Sequence, residues 1–200
     1  MSCHGFCISQ LAVPAFLMLS AVSCGLDRGK VVDQGPPMPA SMAVQPVSDR
    51  LVIADFDEVI PLNLFGWDNT AVRAANPEPS GSNRSAHVAA WNKSAGQWKG
   101  MGFFTGEMID FERYPLYTFK VWSPVAGKLV VKFFHGEDES TKFELVVEPI
   151  TRIREWQTVS VDLSMLKSNY YSKTEVVPVP ESPDACGPFY FDDFILYPRK

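Results

Sequence analysis

FYFDDFILYP, residues 189–198, decides how this sequence is read. Its phenylalanines and aliphatics make it an apolar strand, yet it carries two adjacent carboxylates, Asp192 and Asp193. A strand covered on one face hides apolar side chains readily, whereas a carboxylate taken out of water without a partner is costly. Side chains alternate across a strand, so the two acids are expected to point to opposite faces. On the residues alone they read as exposed acids that keep an edge strand from pairing with other chains.

Working outward, the same period of two recurs. In LVIADFDE (51–58), Val52, Ala54 and Phe56 fall on one side and Asp55 and Asp57 on the other. In LYTFKVWS (116–123), Tyr117, Phe119 and Val121 oppose Thr118, Lys120 and Trp122. KLVVKFFHG (128–136), KFELVVEPI (142–150) and EWQTVSVDL (155–163) read as further strands. Turn chemistry separates them at Ser123-Pro124, Ala126-Gly127, residues 135–138 and Pro183-Asp184. Helical periodicity is nearly absent, with at most a turn over 164–168. Many short strands without helices predict an all-β antiparallel sandwich or barrel. The stretch from Gly66 to Gly100 differs: it is rich in Gly, Asn and Ser and holds Trp67, Trp91 and Trp98. SAHVAAWN (85–92) within it can form a strand, and the remainder reads as ordered loops.

Bulk properties narrow the function classes. A net charge of −5 without any Arg/Lys cluster argues against nucleic acid. The first 23 residues hold no Asp, Glu, Lys or Arg, and LAVPAFLMLSAV (11–22) is of signal-peptide length, too short to span a bilayer. It ends in Ala-Val-Ser-Cys-Gly (21–25), which resembles a bacterial lipobox. Residues 1–23 are therefore expected to be a signal peptide, with Cys24 the lipidated N-terminus; an ordinary cleaved secretory signal is the alternative. A lipid chain tethers a protein to a membrane without spanning it. Residues 24–48, with several prolines, read as a semi-extended tether. The domain is expected over 49–200. It holds a single cysteine, Cys186, so no disulfide can close within it.

In order, LVIADFDE, ANPEPSGSNRSAHVA (75–89), QWKG (97–100), PLYTFKVWSPVAGKLVVKF, EWQTVSVDLS and the closing FYFDDFILYP resemble the jelly-roll, galactose-binding-like carbohydrate-binding modules of Bacteroidetes-type surface lipoproteins. The resemblance covers roughly residues 50–198. It implies a two-sheet antiparallel jelly-roll β-sandwich and a structural calcium joining the first and last strands. Calcium takes six to eight hard oxygens. Asp55, Asp57 and Asp192 would supply carboxylates, Asn83 or carbonyls near it the rest, with Asp193 left in solvent.

Sugars present C–H faces that stack on flat rings and hydroxyls that need planar polar partners. Trp67, Trp91, Trp98 and Trp122 are the candidate platforms, with Lys120 and Asn69 as hydrogen-bonding neighbours. Trp156 is expected to pack at a strand start. His87 reads as structural and His135 as a turn residue. No nucleophile–base set, zinc spacing or phosphate loop is visible, so no catalytic residue is assigned. The expectation is a non-catalytic module that binds a polysaccharide or oligosaccharide on the outer membrane or cell surface, lipid-anchored, beside other components of a glycan-uptake complex. A periplasmic orientation stays open. The alternatives are a structural or assembly lipoprotein and a jelly-roll lyase or hydrolase.

Overall fold

A computed structural model describes residues 49–68, 70–96 and 98–199. The signal segment, Cys24, the tether and Asn69 lie outside the described residues.

The strands are β1 (Leu51–Ala54), β2 (Leu62–Gly66), β3 (Val72–Ala75), β4 (His87–Lys93), β5 (Met101–Phe104), β6 (Leu116–Trp122), β7 (Gly127–His135), β8 (Asp138–Ile150), β9 (Trp156–Asp162), β10 (Lys173–Pro180) and β11 (Gly187–Tyr197). They form two antiparallel sheets. One runs β3-β4-β11-β6-β9, with β1 also on β11; the other runs β2-β5-β10-β7-β8. The domain is all-β, as the strand pattern predicts, and a two-sheet jelly-roll sandwich, as the resemblance implies. The first and last strands of the domain pair as expected: Leu51 lies opposite Leu196, and Val52 opposite Ile195.

β11 is the central strand of its sheet. β6 lines one edge of it, while β4 and then β1 share the other. Its pairing with β6 slips between Asp192 and Ile195, and Asp193 adopts φ 50°. This is a β-bulge, in which one extra residue resets the alternation. Phe189, Phe191, Phe194 and Leu196 are consequently all buried, although strict alternation would have turned Asp193 inward. The two acids therefore do not face opposite sides. Both lie on the outer face of the six-stranded sheet, where Asp193 meets Lys120 at 2.6 Å.

A matching slip in β1, between Val52 and Ala54, corrects the reading of the first strand. Ile53, Ala54 and Phe56 face the core, Phe56 through a positive φ of 57°, and Val52 faces outward. Four strands escaped the sequence reading: β2, β3, β5 and β10. β10 carries Pro178 and Pro180, which argue against a central strand. They are tolerated because β5 pairs only with residues 173–176, so past Val176 the strand is bonded on one side.

Aromatic rings knit the two sheets. Phe194 packs on Phe103 at 5.0 Å and Phe119 at 5.4 Å between ring centroids, with Phe56 at 6.2 Å and Tyr117 at 6.3 Å. Removing this ring leaves a cavity at the centre of the sandwich. Phe194→Ala is expected to cost about 3–5 kcal/mol of stability, read as a lowered urea midpoint with an unchanged m-value.

Candidate functional site

Alternation assigns the faces of the five-stranded sheet. On β7, Leu129, Val131 and Phe133 enter the core, so Lys128, Val130, Lys132 and Phe134 face outward. On β10, Thr174 and Val176 point inward, and Lys173 and Glu175 outward. Strand register then sets one row across the sheet: Glu144, Lys132, Glu175, Gly102, Phe65. Lys132 reaches Glu144 at 3.6 Å, and Lys173 reaches Glu175 at 2.9 Å. Lys173 also sits between two rings, 4.4 Å from the centroid of Phe134 and 5.1 Å from that of Phe65. Gly102 keeps the row flat. A Cβ there would lie 2.8 Å from Phe65 Cζ and 2.6 Å from the Thr174 carbonyl oxygen. Oε2 of Glu175 is buried and has no hydrogen-bond partner.

Above this row stands Trp67, 45% exposed, with Lys132 Nζ 4.6 Å beneath its ring. Its backbone N–H donates to Gly100 at 3.0 Å, which joins the end of β2 to the start of β5. The loop between β4 and β5 brings a second ring, Trp98, 48% exposed. Trp98 holds φ 62°, a conformation that bulky residues adopt only where the surroundings impose it. Those surroundings are polar. Asp68 accepts from the Ser94 N–H at 2.9 Å and from the Ser94 hydroxyl, and pairs with Lys99 at 3.4 Å. Burial pushes the Asp68 carboxyl up, but the Ser94 hydrogen bonds and Lys99 outweigh it and hold the pKa below its ordinary value. Gly96 N–H donates to Pro183 at 2.8 Å. Trp98 then lines a groove of about 730 Å³ together with Val130 and Val146. Val130 and Lys132 are alternate residues of β7, so both exposed indoles serve one continuous face.

The other expected platforms lie elsewhere. Trp91 is fully buried against Phe189, which removes it from the set. Trp122 and Lys120 belong to the outer face of the opposite sheet. There Trp122 Nε1 donates to Glu78 at 3.0 Å, its ring meets Tyr190 edge-on at 5.3 Å, and Lys120 is paired to Asp193. Trp156 packs at its strand start as expected, donating to Asn76 at 3.2 Å and the Glu78 carbonyl at 3.1 Å. Sequence reasoning missed Phe65, Lys132, Glu144, Lys173 and Glu175. The lysines of KLVVKFFHG share parity, which marks its outer face; Glu175 was hidden because β10 was not read as a strand.

The three expected calcium-binding carboxylates do not group. Among the described residues no group of three or more His, Cys, Asp or Glu is placed to share an ion. Asp55 Oδ1 accepts the backbone N–H groups of Asp57, Glu58 and Val59 at 3.2, 2.9 and 2.7 Å. Asp57 takes Ala86 N–H and His87 N–H, each at 2.9 Å, pinning the β1–β2 turn to β4. These two acids are therefore corrected from metal ligands to backbone clamps. Asp192 differs. Its Oδ2 accepts from Asn83 Nδ2 at 2.8 Å, while its Oδ1 is buried without a partner. Of the expected ligands, Asp192 and Asn83 are thus joined to each other by a hydrogen bond.

No family model matches this chain, and no curated protein matches it. Solved structures do share its fold. One contains the CBM22-1–GH10 modules of Clostridium thermocellum endo-1,4-β-D-xylanase 10B, complexed with xylohexaose. It is 16% identical with a TM-score of 0.52, and the match covers 72% of this chain and 28% of that one. A second is the family 11 carbohydrate-binding module of Clostridium thermocellum with a β-1,3-1,4-mixed-linked tetrasaccharide: 10% identity, TM-score 0.52, 76% of this chain and 97% of that one. A third is the CBM22-2 xylan-binding domain of Paenibacillus barcinonensis Xyn10C: 12% identity, TM-score 0.50, 72% and 97%. The chain thus spans under a third of the xylanase polypeptide and nearly all of the two isolated modules. These likenesses show the jelly-roll fold.

Burial pushes the Asp192 carboxyl up to about 6, with neighbouring Asp193 adding to the rise. A pKa raised in the folded state means stability that is present below about pH 4 and lost as the pH rises through 6. In chelator-containing buffer, Asp192→Asn is expected to raise the melting temperature at neutral pH by roughly 2–6 °C, a gain that vanishes near pH 4. Scanning calorimetry across that range checks it.

Proposed function

We propose that the outer face of the five-stranded sheet binds a polysaccharide or oligosaccharide without chemistry, with Trp67 and Trp98 as its stacking rings. The observation that carries this reading is the convergence of two half-exposed indoles, from separate loops, on one face, where Trp67 packs over the buried Lys132 and Glu144 is exposed beside them. Exposed rings of this size on a folded domain mark binding surfaces. Flat rings stack on the C–H faces of sugars, and the exposed Lys142–Glu144 pair at the end of the row offers a donor and acceptors to hydroxyls. The shared fold with modules solved in complex with xylohexaose and a mixed-linked tetrasaccharide supports the ligand class. Every charged group of the row is engaged with another protein charge, which suits recognition better than proton transfer.

The finer parts of the reading rest on the sequence. Signal and lipobox resemblance support a Cys24 lipoprotein, displayed on a tether at the outer membrane or cell surface within a glycan-utilisation system. Calcium belongs to the same reading, with Asp192 Oδ1 as its carboxylate oxygen and Asn83 holding the other oxygen in place.

Trp67→Ala and Trp98→Ala are each expected to weaken binding to the tightest hit of a glycan array about ten- to hundredfold, as the loss of a stacked ring does. Their melting temperatures should stay near that of the parent, since both rings are surface residues. Trp122→Ala should leave affinity unchanged. Isothermal calorimetry reads all three.

A further inference from the structure

The binding face is chemically divided. Around Trp67 it is a row of paired charges, and beside Trp98 it turns apolar. There most of the floor and walls are apolar, Val130, Val146, Pro149, Val179 and Pro180, with Thr151 and Glu181 also lining the groove. Val146 is 59% exposed in the middle of β8, a place that a solvated sheet face gives to polar residues. Alternation places Glu144 and Glu148 on the same side of that strand, so the valine interrupts an otherwise charged series. Lys128 also lines it, exposed, and its ammonium makes no ion pair or hydrogen bond to any described residue. The groove holds about 730 Å³, within the range of small-molecule sites.

A bare sugar hydroxyl gains nothing from a valine and proline floor. A short acyl group does, because its methyl replaces water on the valines while its carbonyl oxygen accepts from an ammonium. We propose that this trough is a subsite for an O-acyl substituent, an acetyl ester above all, on a saccharide whose backbone lies across Trp67 and Trp98. Lys128 donates to the ester carbonyl and Val146 contacts the methyl. The proposal rests on the glycan-binding reading and deepens it. The trough is continuous with the charged row, since Val130 and Lys132 alternate on β7 and Val146 and Glu144 on β8. A ligand that spans both halves therefore needs hydroxyls at one end and an apolar ester at the other.

The test uses acetylated xylo-oligosaccharides and acetylated glucomannan oligosaccharides, each before and after alkaline deacetylation, titrated into the full mature chain. The parent is expected to bind the acetylated member of at least one pair about five- to tenfold more tightly, the effect of burying one methyl and adding one hydrogen bond. Val146→Thr, similar in shape and β-propensity but polar, should erase that preference while leaving affinity for the deacetylated form within twofold. Lys128→Met should reduce the preference and spare the deacetylated form likewise. Equal affinity for both members of a pair overturns the inference and leaves the glycan reading standing. So does a preference that survives Val146→Thr, or binding confined to backbones outside these pairs. Binding to no glycan at all overturns both.

Discussion

One extra residue in β11 governs the rest of the structure. Had the strand kept strict alternation past Phe191, Asp193 and Ile195 would point into the sandwich, and Phe194 and Leu196 would face out. A buried unpaired carboxylate at the centre of an apolar core is a cost the fold could not offset. The bulge at Asp192–Asp193 keeps Asp193 on the outer face beside Asp192 and returns Phe194 to the core. There its ring meets aromatics from β5 and β6, so the bulge also sets how the two sheets lock. Its counterpart in β1 performs the same correction on Ile53 and Phe56.

Placing acids on the outside of the six-stranded sheet then requires something to cover them. The segment after β3 does so. Asn76 and Glu78 receive the indole N–H of Trp156, Glu78 receives that of Trp122, and Asn83 donates to Asp192. That sheet is thereby occupied with holding its own surface together. On the opposite sheet the outward Lys132, Lys173 and Glu175 are buried as well, with Trp67 and Phe65 packed against the lysines, and there the half-exposed indoles stand. The division of labour between the sheets follows from where the carboxylates had to go.

The legible part of the fold was the part with a clean period of two. Tyr117, Phe119 and Val121 of β6 were readable from parity alone, and all are fully buried. Bulges are invisible to that reasoning, because a local φ above zero at Phe56 or Asp193 leaves no mark in side-chain type. β10 was lost to its prolines, and with it Lys173 and Glu175. For the candidate site, Trp67 and Trp98 were legible as large rings within a polar segment. Trp91 misled because it lies in the same segment but in β4, where Phe189 covers it. Asp55 and Asp57 misled because a carboxylate that clamps backbone N–H groups looks in sequence like one that awaits a cation.

The central claim is that the face bearing Trp67 and Trp98 receives the saccharide. Its most direct test follows the five indole N–H resonances by nitrogen-15 NMR during titration with a binding oligosaccharide. The account predicts that the signals of Trp67 and Trp98 move together and saturate, while those of Trp91, Trp122 and Trp156 hold their positions. Movement centred on Trp122, with Trp67 and Trp98 unmoved, would place the ligand on the other sheet and contradict it.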